Sequence, residues 1–143
     1  MPATFQILAD HNLVYVQYSG LMLVEDSLKA FGAYAQHPEA RPGQRHLIDL
    51  SRITDMERDF ARVMALQARK GEDLAARELE TMMVYYAISP ISQKAAALAK
   101  NGWSHAHGVV AIVQDSEAAA LSSLGVPFET FAALLEAGSS QSA

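Results

Sequence analysis

The spacing of apolar and polar positions changes repeatedly along the chain, and each change predicts an element. Phe5, Ile7 and Leu8 form a short apolar segment. Asp10-His11-Asn12 then supplies a polar turn, and residues 13–19, LVYVQYS, are rich in β-branched and aromatic side chains. Two such runs about a tight polar turn predict an antiparallel hairpin closed by Gly20. Helical spacing follows over residues 24–36, where Val24, Leu28, Phe31 and Ala35 recur on one face. Glu25 and Asp26 sit in its first turn, where the helix dipole favours acids. Leu23 stands where a capping Ser or Thr is expected, so this start is weakly capped. His37-Pro38 ends the helix, because a residue before proline avoids the α region.

After the loop Arg41-Pro42-Gly43, residues 45–51 read as a buried central strand containing Leu47-Ile48 and Asp49-Leu50-Ser51. Thr54-Asp55-Met56-Glu57 matches a capping box, which predicts a helix from Asp55 to about Ala68. Met56, Phe60, Val63 and Met64 would form its apolar stripe, with Asp55, Arg58, Asp59 and Arg62 outside. Residues 81–88, TMMVYYAI, are apolar throughout, the pattern of a parallel strand covered on both faces. Ser89-Pro90 is a favoured helix start, and Asn101-Gly102 a favoured stop. A strand over residues 109–113 leads to Asp115-Ser116, a cap for a helix over residues 117–124 that ends at Gly125. Pro127 opens a last helix carrying Phe128, Phe131, Leu134 and Leu135. From Gly138 the chain should fray.

The order ββαβαβαβαα predicts a single α/β domain over residues 1–138 with a frayed tail over 139–143. Strands alternating with helices imply right-handed crossovers and a mostly parallel mixed sheet of about five strands, the first an antiparallel edge.

Composition narrows the function without naming it. The chain has 143 residues, half of them apolar and 19% charged, which suits a folded core. The absence of cysteine excludes disulfides, thiolate catalysis and cysteine-ligated zinc, and fits a reducing, cytoplasmic setting. A net charge of −5 without a Lys/Arg cluster argues against nucleic acid and against anionic membrane surfaces. The amino-terminal stretch lacks the basic and apolar regions of a signal peptide, and no apolar run is long enough to insert in a bilayer.

The hairpin, the Gly20 turn into a helix, the strand His46-Leu47-Ile48-Asp49-Leu50-Ser51, the helix expected after it and the closing helix pair resemble the STAS or SpoIIAA-like domains. These share their fold with lipid-transfer Sec14 domains. The resemblance runs from Phe5 to Ala137. It implies a SpoIIAA-like fold and a regulatory role through protein contacts. In the anti-sigma antagonists of that family, a phosphorylatable serine follows an aspartate at the start of the helix after this strand. Glu57 and Arg58 occupy those places here, so the resemblance implies the branch without a phosphoserine switch.

The candidate binding surface is the carboxyl end of the central strand, where open α/β sheets bind ligands. It comprises Ser51, Thr54, Asp55, Glu57, Arg58 and Arg62, with Ser89 at the equivalent end of the next strand. Taken singly, Ser89 and the Thr54–Glu57 pair are better explained by ordinary helix capping, most clearly at Ser89, and their shared location is what marks them as a surface. His105 and His107 have the spacing of one strand face and so of a metal pair, with His46 or His11 as a third ligand. Nothing in the spacing requires that third ligand, and no Gly-x-Ser-x-Gly elbow supplies a nucleophile. The expectation is therefore a non-enzymatic interaction module with no catalytic residues, metal or cofactor, a protein partner and a possible homodimer. The alternative is a module for a small apolar ligand or lipid, with a pocket lined by Met82, Tyr85 and Trp103.

Overall fold

The computed structural model describes residues 3–59, 81–103 and 108–141. Five strands, β1 (Ala3–Leu8), β2 (Leu13–Met22), β3 (Arg45–Met56), β4 (Thr81–Tyr86) and β5 (Val109–Gln114), form one sheet in chain order. β1 pairs antiparallel with β2, and every later pairing is parallel. The helices are α1 (Val24–Ala35), α2 (Pro90–Trp103), α3 (Glu117–Leu124) and α4 (Phe131–Gln141). The mixed α/β sheet with an amino-terminal hairpin is thus the architecture expected. Among the described residues no helix is long and apolar enough to cross a membrane.

The hairpin turn is a short 3-10 segment, Ala9–His11, closed by Asn12 at φ 52°, a left-handed conformation that asparagine tolerates. Alternation along the strands then builds two cores. Ile48 and Leu50 of β3 and Met83 and Tyr85 of β4 face α2, where Ala95, Ala96 and Ala99 meet them, and Ala30 of α1 packs on the same side. Leu47 and Val84 face the opposite way, onto Leu121 and Leu124 of α3 and Phe131 and Leu134 of α4. Leu47, Leu50 and Val84 are wholly excluded from solvent, so the central strands are buried on both faces.

One carboxylate is buried inside this apolar frame. Asp49 is 4% exposed. Its Oδ2 accepts the Tyr15 hydroxyl at 2.6 Å, and its Oδ1 accepts the Ser51 backbone amide at 2.9 Å and the Ser51 hydroxyl at 2.6 Å. These bonds meet the need of a buried charge for donors. They also serve an irregularity in the sheet. Gln17 pairs with Asp49 but Ser19 with Arg52, so β3 advances three residues while β2 advances two. Asp49 takes up the Ser51 amide within this β-bulge.

The structure departs from the expected elements mainly after Ser51. Thr54, Asp55 and Met56 belong to β3, not to a helix, and the capping box is not formed. β2 correspondingly runs through Gly20 to Met22, with Leu21 opposite Asp55 and Met22 opposite Met56. Strand pairing and the burial of Ile53 and Met56 outweigh the local helix-start signal. The remainder of the predicted helix, from Phe60, lies outside the described residues. Other differences are smaller. β4 ends at Tyr86, and α2 passes Asn101-Gly102 to reach Trp103. The last helix starts at Phe131, where the Glu117 carboxylate accepts the first amide and Thr130 caps Ala133, and it runs through Gly138 to Gln141.

Burial, and then the hydrogen bond to Asp49, push the Tyr15 phenol far above its ordinary range. The folded state therefore holds this proton more tightly than the unfolded chain. Its contribution is complete below the unfolded phenol value of about 10 and declines above it. Tyr15→Phe removes a donor from a buried carboxylate and should cost about 1–3 kcal/mol, a fall of several degrees in Tm. The variant should also lose stability less steeply than the parent above about pH 10 in alkaline melts.

Candidate functional site

Among the described residues, a cavity of about 100 Å³ lies on the α1/α2 side of the sheet. Val16, Ile48 and Met83 contribute its floor, Val24, Ser27 and Phe31 of α1 one wall, and Ala95, Leu98 and Ala99 of α2 the other. Its composition follows from the sequence of α2. The run Lys94-Ala95-Ala96-Ala97-Leu98-Ala99 brings alanines to the sheet where bulkier side chains would fill the space. Phe5, Tyr34 and His46 close one end, with the Tyr34 and His46 rings edge to face at 5.3 Å. Met22, Met56 and Glu57 stand at the other, where β2 and β3 terminate.

Most polar groups on this lining have structural partners. The Tyr34 hydroxyl donates to Gln44 Oε1 at 2.5 Å, and Gln44 itself is buried. Glu57 Oε2 accepts the Val24 amide at 2.9 Å, and its own amide donates to the Met22 carbonyl at 2.8 Å. This pair of bonds resolves the weak start of α1. Leu23 supplies no side-chain cap, and a carboxylate arriving from the end of β3 satisfies the first helical amide instead. Tyr18 and Ser27, both buried, face each other across the cavity wall with their hydroxyl oxygens 3.0 Å apart. Burial pushes the Tyr18 phenol up, the Ser27 bond opposes this, and Asp26 adds to it, so the hydroxyl keeps its proton.

The sequence-predicted residues fall into separate places. Glu57 lines the cavity, but as the cap of α1 and not of a helix beginning at Thr54. Ser51 faces Asp49 in the buried network. Thr54 and Arg58 are exposed, and Asp55 accepts the amide of Met56. Arg62 lies outside the described residues. Ser89 caps α2 reciprocally with Ser92: Ser92 N donates to Ser89 Oγ at 3.2 Å, and Ser89 N to Ser92 Oγ at 2.8 Å. Of the pocket residues expected from sequence, Tyr85 lines the cavity, while Met82 packs in the opposite layer. The side chain of Trp103, and all of His105 and His107, lie outside the described residues. His46 lines the cavity, whereas His11 packs edge to face on Phe128 beside the other core, so these two do not share a site. Among the described residues no group of three or more metal-ligating side chains gathers.

The sequence offered no direct sign of Tyr18, Ser27 or Tyr34 as cavity residues. The usable sign was the alanine run of α2 set against an apolar sheet. Glu57→Ala should cost about 1 kcal/mol or somewhat more through loss of the cap. Amide hydrogen exchange at Val24 should accelerate in that variant, while exchange in β4 follows only the global loss of stability.

No protein-family model matches this chain, and no curated protein matches it.

Proposed function

We propose that this domain is a non-catalytic binding module whose ligand is a small apolar molecule held between α1, α2 and the sheet. The observation that carries the reading is the apolar cavity itself, of about 100 Å³, lined by buried aliphatic and aromatic side chains. Native cores are packed close to crystal density and leave few voids of this size. An engineered apolar cavity of about 150 Å³ in another protein stays dry and binds benzene. By that measure the space suits one ring or a short branched chain, and it is too small for a whole lipid. The polar lining supports a binding role over a catalytic one, since Tyr34 and Glu57 are committed to structural bonds. Kinship with SpoIIAA-like domains and a cytoplasmic setting belong to the same proposal. They draw support from the hairpin-first strand order and the cysteine-free chain.

Thermal melts with toluene test the reading. At about 100 times the dissociation constant, a ligand specific for the folded state adds roughly 2.7 kcal/mol, and Tm should rise by several degrees. Ala99→Leu fills the space from α2, and it should fold normally but lose the response. A parent protein whose Tm ignores toluene and other ring-sized hydrocarbons would refute the cavity as a binding site.

A second reading, a protein-interaction surface at the carboxyl ends of the strands, is favoured by two exposed apolar side chains. Leu21 and Ile88, 48% and 51% exposed, follow or end β2 and β4 on either side of β3. Exposed Thr54 and Arg58 lie on the same end. The partner would be a protein, including a second copy of this chain. Leu21→Lys combined with Arg58→Glu should then weaken association at least tenfold in sedimentation or affinity capture, with folding unchanged. Unaltered association would exclude this surface.

A further inference from the structure

Two hydroxyls in the cavity wall carry more hydrogen-bonding capacity than the protein uses. Tyr18 and Ser27 are 5% and 3% exposed, and each lines the cavity. Their oxygens lie 3.0 Å apart, and either can donate to the other. Each hydroxyl brings one proton. Their mutual bond consumes one of the two, and neither side chain makes another hydrogen bond. Whichever donates, one buried O–H is left without an acceptor in the protein. A buried donor without an acceptor is unfavourable unless something else in the space accepts from it. Among the other lining side chains, Val16, Val24, Ile48 and Leu98 offer no acceptor, and neither hydroxyl bonds to Tyr34, His46 or Glu57, the polar groups at the ends of the cavity.

We infer that the cavity is built for a neutral, ring-sized apolar molecule bearing one hydrogen-bond acceptor, such as a carbonyl or ether oxygen, which takes the uncommitted proton of the Tyr18–Ser27 pair. This rests on the apolar-ligand reading above and adds the polar handle to it. Neutrality follows from the walls. An anion would be stripped of water with one donor to meet it, and a cation would find apolar surface across most of its shell. A single acceptor on an otherwise apolar body matches a lining that is apolar apart from a few placed polar groups, the usual design of small-molecule sites. The ligand would present its oxygen toward α1 and β2, and its hydrocarbon body toward Ala95, Leu98 and Ala99.

Cyclohexanone and methylenecyclohexane are suitable probes, being alike in shape and differing in an oxygen against a CH₂ group. Both should bind the parent protein. In Tyr18→Phe/Ser27→Ala the affinity for the ketone should fall roughly threefold to tenfold relative to the hydrocarbon, the worth of one hydrogen bond. Retained binding of the hydrocarbon shows that the variant cavity is intact. Infrared difference spectra of the parent protein give a second measure that needs no variant. The carbonyl stretch of bound cyclohexanone should lie below its position in hexane. An unchanged ketone-to-hydrocarbon ratio, or a stretch at the hexane position, would overturn the hydroxyl handle while leaving the apolar cavity standing. Failure of both probes to bind the parent would overturn the handle and the apolar-ligand reading together.

Discussion

Strand order constrains where everything else in this molecule can go. β2, β3, β4 and β5 lie side by side in chain order and run parallel. Two of the crossovers, through α1 and α2, step the same way across the sheet, and crossovers of the usual right hand that do so pass over the same face. α1 and α2 accordingly pack into one cluster on one side. The other side of the central strands is also apolar and is not covered by α1 or α2. The chain meets that need with its last two helices, and Leu121, Leu124, Phe131 and Leu134 form the second core. β4 alternates between the two, sending Met83 and Tyr85 to one layer and Met82, Val84 and Tyr86 to the other.

The two layers are built from different materials. The α3/α4 layer meets the sheet with leucine and phenylalanine, and ring contacts such as Tyr86 with Phe131 at 4.9 Å knit it to the strands. The α1/α2 layer meets it with alanines from α2 and with a helix α1 that buries few of its side chains, Val24, Ser27 and Tyr34 among them. Its cavity is the geometric result. The sheet gives the floor, and the small residues of α2 opposite leave room above it. The cavity and the leucine- and phenylalanine-rich core therefore sit on opposite faces of the same strands.

How much of this the sequence disclosed depended on the range of the interactions involved. Ser116 before α3 and Gly125 after it were legible because a cap and a left-handed stop involve neighbours only, and both occur as expected. The burial of Leu47, Ile48 and Leu50 was legible from the apolar run. Thr54 to Glu57 misled because the same residues satisfy a local helix-start rule and a distant strand partner. The deciding groups, Gly20 to Met22, lie more than thirty residues earlier. Glu57 was singled out for capping, and it does cap a helix, although the helix is α1. The Tyr15–Asp49 bond joins residues 34 apart, and the cavity arises from a mismatch of volumes across three elements. Neither leaves a periodic trace in the chain.

The bond from Glu57 to the first amide of α1 also bears on the order in which the chain assembles. A helix of this length is marginal by itself, and its nucleating turn is the costly step. The first turn closes its own bond from the Ser27 amide to the Leu23 carbonyl, but the acceptor for the orphan Val24 amide lies 33 residues further on and arrives with the register of β3 beside β2. Full capping of a local segment thereby depends on a long loop closure, which adds to the mean sequence separation of the native contacts. The start of α1 and the end of β3 are in this way tied to one another across the chain, and a helix that borrows its cap cannot be fully stable without its lender.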